Sequence, residues 1–187
     1  MNALQPKTFK QWHRIKRLHA AAFTGSERKS LSIHRIRQEE GKADIWYFEE
    51  NSTFIGYAIA TPGRDKVLIN YLAVTPSMRG QNLGSIILKK LQQQYAGKGL
   101  FAEVDIIPEG YPDKHRKFLR KQFYLKAGMK ELGVLASYYE THLELVGIDC
   151  EMTFESYFQF YAETYNMYTA SGLRPYKKPV GPENVTY

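Results

Sequence analysis

One cysteine in 187 residues, Cys150, excludes an internal disulfide and any cysteine-built zinc site. No apolar run approaches the roughly 18 residues that a membrane-spanning helix needs, so no membrane segment is expected. Residues 1–10 lack an apolar core followed by a small-residue cleavage site, so no signal peptide is expected. Together with the lone cysteine this predicts a reducing, cytoplasmic setting. The five histidines, His13, His19, His34, His115 and His142, have no metal-ligand spacing. Structural or surface roles are expected of them, and no metal. Repeats and low-complexity tracts are also missing. Hydrophobic residues at 43% and charged residues at 24% sit near the globular average, which excludes wholesale disorder. The length suits one core, predicted over residues 1–170, with a loosely ordered proline-containing tail over 171–187.

Acidic residues are scarce in the first two-thirds of the chain. Residues 1–130 hold 23 basic and 11 acidic side chains, whereas residues 131–187 hold 3 and 8, for a net charge of +7 overall. A basic body suits a duplex, a single strand or a small polyanion such as a nucleotide cofactor, and composition does not choose among them.

Hydrophobic periodicity predicts helices over Thr8–Phe23 and Leu31–Glu40. Strands are predicted at 45–48, 54–60 and 67–74, a helix from the loop at 75–85 to about Tyr95, and a strand over Leu100–Ile107. A basic helix, His115–Ala127, stops at Gly128. Two closing strands and an aromatic helix follow, the latter with Thr153 as N-cap and a stripe of Phe154, Tyr157, Phe158, Tyr161 and Tyr165. That stripe is expected to be packing rather than a ligand cage. Most of the basic run Lys114, His115, Arg116, Lys117, Arg120 and Lys121 is expected to be a solvated helix face. The alternative is a face that meets the phosphates of a bound ligand or an acidic substrate.

The chemically informative stretch is the strand, loop and helix from Val67 to Leu91. Gly80, Gly84 and Arg79 lie at a helix start, where unpaired N–H groups and the helix dipole favour phosphate. The glycine spacing fits neither a P-loop nor a dinucleotide fingerprint. On Glu103 and Asp105, alternation with Ala102 and Val104 predicts two carboxylates on one side of the following strand.

Tyr71-Leu72-Ala73-Val74-Thr75-Pro76 followed by Arg79-Gly80-Gln81-Asn82-Leu83-Gly84-Ser85 resembles the acetyl-CoA motif of the GNAT superfamily of N-acetyltransferases, Gln/Arg-x-x-Gly-x-Gly/Ala. Asn82 stands at the usual middle glycine, and asparagine tolerates left-handed backbone better than most residues. Phe123-Tyr124-Leu125-Lys126-Ala127-Gly128-Met129 resembles a second signature of that family, and the order of elements agrees to about Val146. The resemblance implies an α+β fold with a central mixed, mostly antiparallel sheet flanked by helices on both faces. It also implies a splay between the strands on either side of the loop helix. Leu72, Ala73 and Val74 would offer backbone hydrogen bonds to the pantetheine arm of acetyl-CoA, and Arg79, Gly80, Gln81, Asn82, Leu83, Gly84 and Ser85 would cradle its pyrophosphate. Tyr124 would be the general acid toward the departing sulfur. Asn70 stands where relatives often carry an acid, which turns attention to Glu103 as the base, with Asp105 second. The implied activity is acetyl transfer to an amine of a small molecule or peptide. The competing readings are a non-catalytic CoA-binding sensor of the same fold and a basic nucleic-acid binder. The acceptor groove is expected from the two N-terminal helices and Pro108–Asp113. A homodimer is compatible with the resemblance, and neither the acceptor nor the oligomeric state is legible.

Overall fold

The computed structural model describes all residues except 24, 26, 27, 108–113 and 178–187, and the backbone alone at 114 and 115. In chain order the elements are β1 (Asn2–Leu4), α1 (Phe9–Ala22), α2 (Leu31–Glu39), β2 (Asp44–Glu50), β3 (Thr53–Pro62), β4 (Lys66–Val74), a 3-10 turn (Pro76–Met78), α3 (Leu83–Gln94), β5 (Gly99–Asp105), α4 (Lys114–Lys126), β6 (Lys130–Tyr138), β7 (Thr141–Ile148), α5 (Phe154–Thr164), α6 (Met167–Ala170) and β8 (Leu173–Pro175).

The helices start where their caps dictate. Thr8 and Thr153 each close a capping box, with Gln11 and Ser156 as partners, so two otherwise orphaned N–H groups are satisfied at each site. Ser30 caps α2 through its hydroxyl. The eight strands form one sheet in the order β1-β2-β3-β4-β5-β7-β6-β8, antiparallel everywhere except β4 with β5. That parallel pairing covers only Lys66–Leu68 against Gly99–Phe101, and beyond it the two strands part. This is the splay that the resemblance implied.

A bulge bends β4 beside the opening. Ile59 faces Tyr71 and Ala60 faces Ile69, so Asn70 is the extra residue and the side-chain alternation shifts by one across it. Val67 and Ile69, with Leu72 and Val74 packed alongside, join Ile87, Leu88, Leu91, Val104 and Tyr124 in a cluster under α3 and α4. On the opposite face Tyr71 and Ala73 pack with α1, and Leu68 and Phe101 pack with Tyr157, Phe160 and Tyr161 of α5.

Two expectations are corrected. The chain begins with a short strand, β1, paired to β2, which a three-residue Asn-Ala-Leu segment does not announce. The tail is not loose from Ser171 onward: α6 forms before it, and Leu173–Pro175 pairs with β6 through Tyr138, Ser137 and Ala136. Proline is tolerated there because β8 is the edge strand. Residues 178–187, and the Pro108–Asp113 loop expected to border the acceptor, lie outside the described residues.

Candidate active site

The loop after β4 leads into α3 through two residues with left-handed backbone, Gly80 at φ 78° and Asn82 at φ 57°. Asn82 is the N-cap residue but makes no side-chain cap bond, so the first N–H groups of α3 are left to an external acceptor. Arg79, Gly80, Gln81 and Asn82 are exposed, while Leu83, Gly84 and Ser85 form the first turn of α3 and are half-buried. Arg79 donates through Nε to the Val74 carbonyl at 3.4 Å, which folds the loop back on the strand end. Gly84 has a packing reason: a Cβ there would stand 2.7 Å from the Phe123 ring, so α3 and α4 approach closely only because that position is bare. Leu72, Ala73 and Val74 lie in the part of β4 that has left β5, with no partner strand on that side among the described residues. These features fit a polyphosphate ligand at the loop and an extended arm in the splay.

Tyr124 sits on α4 in the α3/α4 cluster, about 95% buried. Burial pushes its phenol up to about 12, against a smaller downward pull from the Arg120 charge.

The opposite face holds a cavity of about 360 Å³. Its floor is Asn70 and Tyr71 of β4 with Glu103 and Asp105 of β5. Phe23, Lys29 and His34 wall it on the side of α1 and α2, and Tyr138 and Glu140–Leu143 of the β6–β7 hairpin close the other side. Glu103 and Asp105 share one side of the strand, as alternation required, and that side faces the cavity.

The two carboxylates are held differently. Glu103 accepts hydrogen bonds at Oε1 from the Tyr157 hydroxyl (2.7 Å) and the Tyr161 hydroxyl (2.5 Å). Its Oε2 has no partner among the described residues. Asp105 instead lies between two cations, with Lys117 Nζ at 2.8 Å and Arg120 at 3.5 Å. Lys121 is bound to Glu131 and Glu144; burial opposes its charge, but the two carboxylates hold its pKa above the usual lysine value. Lys117, Arg120 and Lys121 are therefore ion-paired inward, not a solvated face, because α4 lies against acidic positions on β5, β6 and β7.

Asn70 serves architecture. Its Oδ1 accepts from the Thr61 hydroxyl at 2.7 Å and its amide donates to the Tyr165 hydroxyl at 2.8 Å. Lys29, just before α2, is pinned as firmly. His19 Nε2 lies 2.9 Å from the Lys29 carbonyl, so it carries the proton, and Nδ1 accepts from the Tyr57 hydroxyl at 2.6 Å. The Lys29 N–H donates to the Tyr71 hydroxyl. His34 is 3% exposed, stands edge-on to the Tyr71 ring at 5.3 Å, and has a hydrogen-bond partner for neither ring nitrogen among the described residues. Burial, with the charges of Lys29, His19 and Arg37, lowers its pKa to about 4, so it is neutral at pH 7.

Sequence reasoning missed the tyrosine hydroxyls on Glu103, whereas the buried His34 has the structural place expected of it. The i, i+4, i+8 spacing of Tyr157, Tyr161 and Tyr165 was the available signal, since it puts three phenols on one helix face.

The sequence profile described as "Acetyltransferase (GNAT) family" matches residues 12–116, more than half of the chain. The chain belongs to the GNAT acetyltransferase family. A GNAT-family protein from Bacteroides thetaiotaomicron superposes with a TM-score of 0.70 at 15% identity, covering 89% of this chain and 99% of its own. The ribosomal-protein-S18-alanine N-acetyltransferase of Escherichia coli gives 0.56 at 18% identity, covering 81% and 95%. An aminoglycoside 6'-N-acetyltransferase complexed with coenzyme A gives 0.55 at 15%, covering 79% and 96%. At these identities the likeness is one of fold. A search of curated proteins finds no match. This GNAT protein is thus an acetyltransferase with the mixed, mostly antiparallel sheet that the family implies. No helix among its described residues is long and apolar enough to cross a membrane.

Proposed function

We propose that this acetyltransferase uses acetyl-CoA to acetylate the primary amine of a small acceptor that enters the Glu103 cavity as its ammonium ion. The observation that carries the reading is the Glu103 carboxylate: Oε1 tied to two phenols, Oε2 with no partner among the described residues, at the floor of a cavity beside the splay. A volume of about 360 Å³ suits a small molecule or a single side chain rather than a folded partner. The rings of Phe23, Tyr71, Tyr138 and Tyr161 line it, and aromatic faces attract a cationic amine.

Acetyl-CoA, when bound, supplies the activated acetyl group. The N–H groups of Gly80–Ser85 and the Arg79 side chain are assigned to its pyrophosphate, and Leu72, Ala73 and Val74 to its arm. Glu103 Oε2 anchors the ammonium and accepts its proton, directly or through one water, so that the amine attacks with a free lone pair. Tyr124 lies on the other face of the sheet, in the cluster that also holds Val104 of β5. A phenol near 12 stays protonated at neutral pH. It steadies the departing thiolate better by hydrogen bonding than by complete proton transfer, since thiols are the stronger acids.

The test is Glu103→Gln, which keeps the shape and removes the charge. In a thiol-release assay over a panel of small amines, kcat/KM should fall about 100-fold or more with acetyl-CoA affinity unchanged. Full activity in the variant would overturn the role of Glu103. Coenzyme binding without turnover on any amine would favour the sensor reading, and steeply salt-dependent binding to generic DNA or RNA would favour the nucleic-acid reading.

A further inference from the structure

The helix α5 lies outside the stretch matched by the family profile, yet it places three hydroxyls at the splay. Tyr157 and Tyr161 donate to Glu103 on β5, while Tyr165, one turn further, bonds Asn70 on β4 and lies 3.1 Å from the Thr61 hydroxyl on β3. The row spans both lips of the opening. Tyr157 and Tyr161 are 0% and 5% exposed, and burial followed by the Glu103 charge raises both phenols well above their ordinary value. They are therefore permanent donors at any pH the protein survives. Packing alone would be served by phenylalanine, which leaves no hydroxyl to satisfy.

We propose that Tyr157 and Tyr161 are positioning residues for the reaction: their hydroxyls immobilise Glu103 by Oε1 and turn Oε2 toward the acceptor amine. A flexible glutamate loses rotamer freedom and must find its productive geometry each turnover; one already clamped by two donors does not.

The inference rests on the Glu103 reading, and the experiment separates the two. Tyr157→Phe, Tyr161→Phe and the double variant are compared with wild type in kcat, in KM for acetyl-CoA and for an active amine, and in urea stability. Each lost donor should lower kcat about tenfold, with KM for acetyl-CoA changed less than about twofold. Tyr165→Phe, which loses a hydroxyl bonded to Asn70 rather than to Glu103, should leave kcat within about twofold of wild type. An unchanged kcat in both single variants, with Glu103→Gln inactive, would overturn the clamp and spare the base. An active Glu103→Gln would overturn the base itself. If the double variant does not fold, the single variants decide.

Discussion

At Tyr124 the burial that makes the phenol a weak acid also limits what it contributes. A group near 12 gives less than an acid matched to neutral pH, so Tyr124→Phe should lower kcat by about 10- to 100-fold, at the low end of general acid catalysis or below it. Coenzyme affinity, measured by calorimetry, should change less than about twofold, since the hydroxyl is assigned to the departing sulfur alone. An unchanged kcat would leave Tyr124 a packing residue of the α3/α4 cluster. Asn82 shows how a single side chain can satisfy a backbone need. At φ 57° it adopts the left-handed turn that glycine meets more easily, so the family's loop survives the replacement.

At the scale of elements, the approach of α3 to α4 is set by a missing side chain. In Gly84→Ala the new Cβ would meet the Phe123 ring at 2.7 Å, and either the ring swings out or the helices part. The expected cost is about 1–3 kcal/mol in urea unfolding, with weaker coenzyme binding because the first turn of α3 moves. Alanine tolerated on both counts would show that the Phe123 ring yields without cost. The helix caps, the loop and the β4–α3–β5 order were legible in the sequence because each is a local matter of hydrogen bonding or backbone freedom. The bulge at Asn70 was not. Its cause is the pairing of β3 with β4 and the bonds of Asn70 to Thr61 and Tyr165, residues 9 and 95 positions away.

Two imidazoles among the described residues are buried, His19 and His34, and their response to acid is a property of the whole molecule. Burial lowers both, His34 to about 4. Between the ordinary value near 6.5 and about 4, the unfolded chain takes up a proton at His34 that the folded protein refuses. Stability therefore falls as pH falls through that window, by on the order of 3 kcal/mol for His34. His34→Leu removes both this term and an orphaned polar group. Its urea stability should equal or exceed wild type at pH 7, with the advantage widening toward pH 4.5. A constant difference between the two proteins over that range would contradict the buried neutral histidine. The uneven charge of the chain also resolves at this scale. Lys117, Lys121 and Arg120 meet carboxylates of β5, β6 and β7, so much of the apparent basic helix is internally neutralised. The exposed positive end of the phosphate loop is left to an anionic ligand.

By itself the sequence determined the family, the order of elements, the left-handed loop and the sidedness of Glu103 and Asp105. Each follows from residues a few positions apart: two-residue alternation in a strand, 3.6-residue periodicity in a helix, a glycine or asparagine at a turn. Tertiary structure alone decided which carboxylate is held by two phenols at the cavity floor and which is paired with cations. It also decided that the packed aromatic stripe brings its Tyr157 and Tyr161 hydroxyls to Glu103 and its Tyr165 hydroxyl to Asn70, and that residues 173–175 close the sheet. Those outcomes depend on contacts between residues 54 and 58 positions apart at Glu103 and on the splay of two strands. No local pattern encodes them, because a hydrogen bond between distant side chains exists only once the backbone has brought them together.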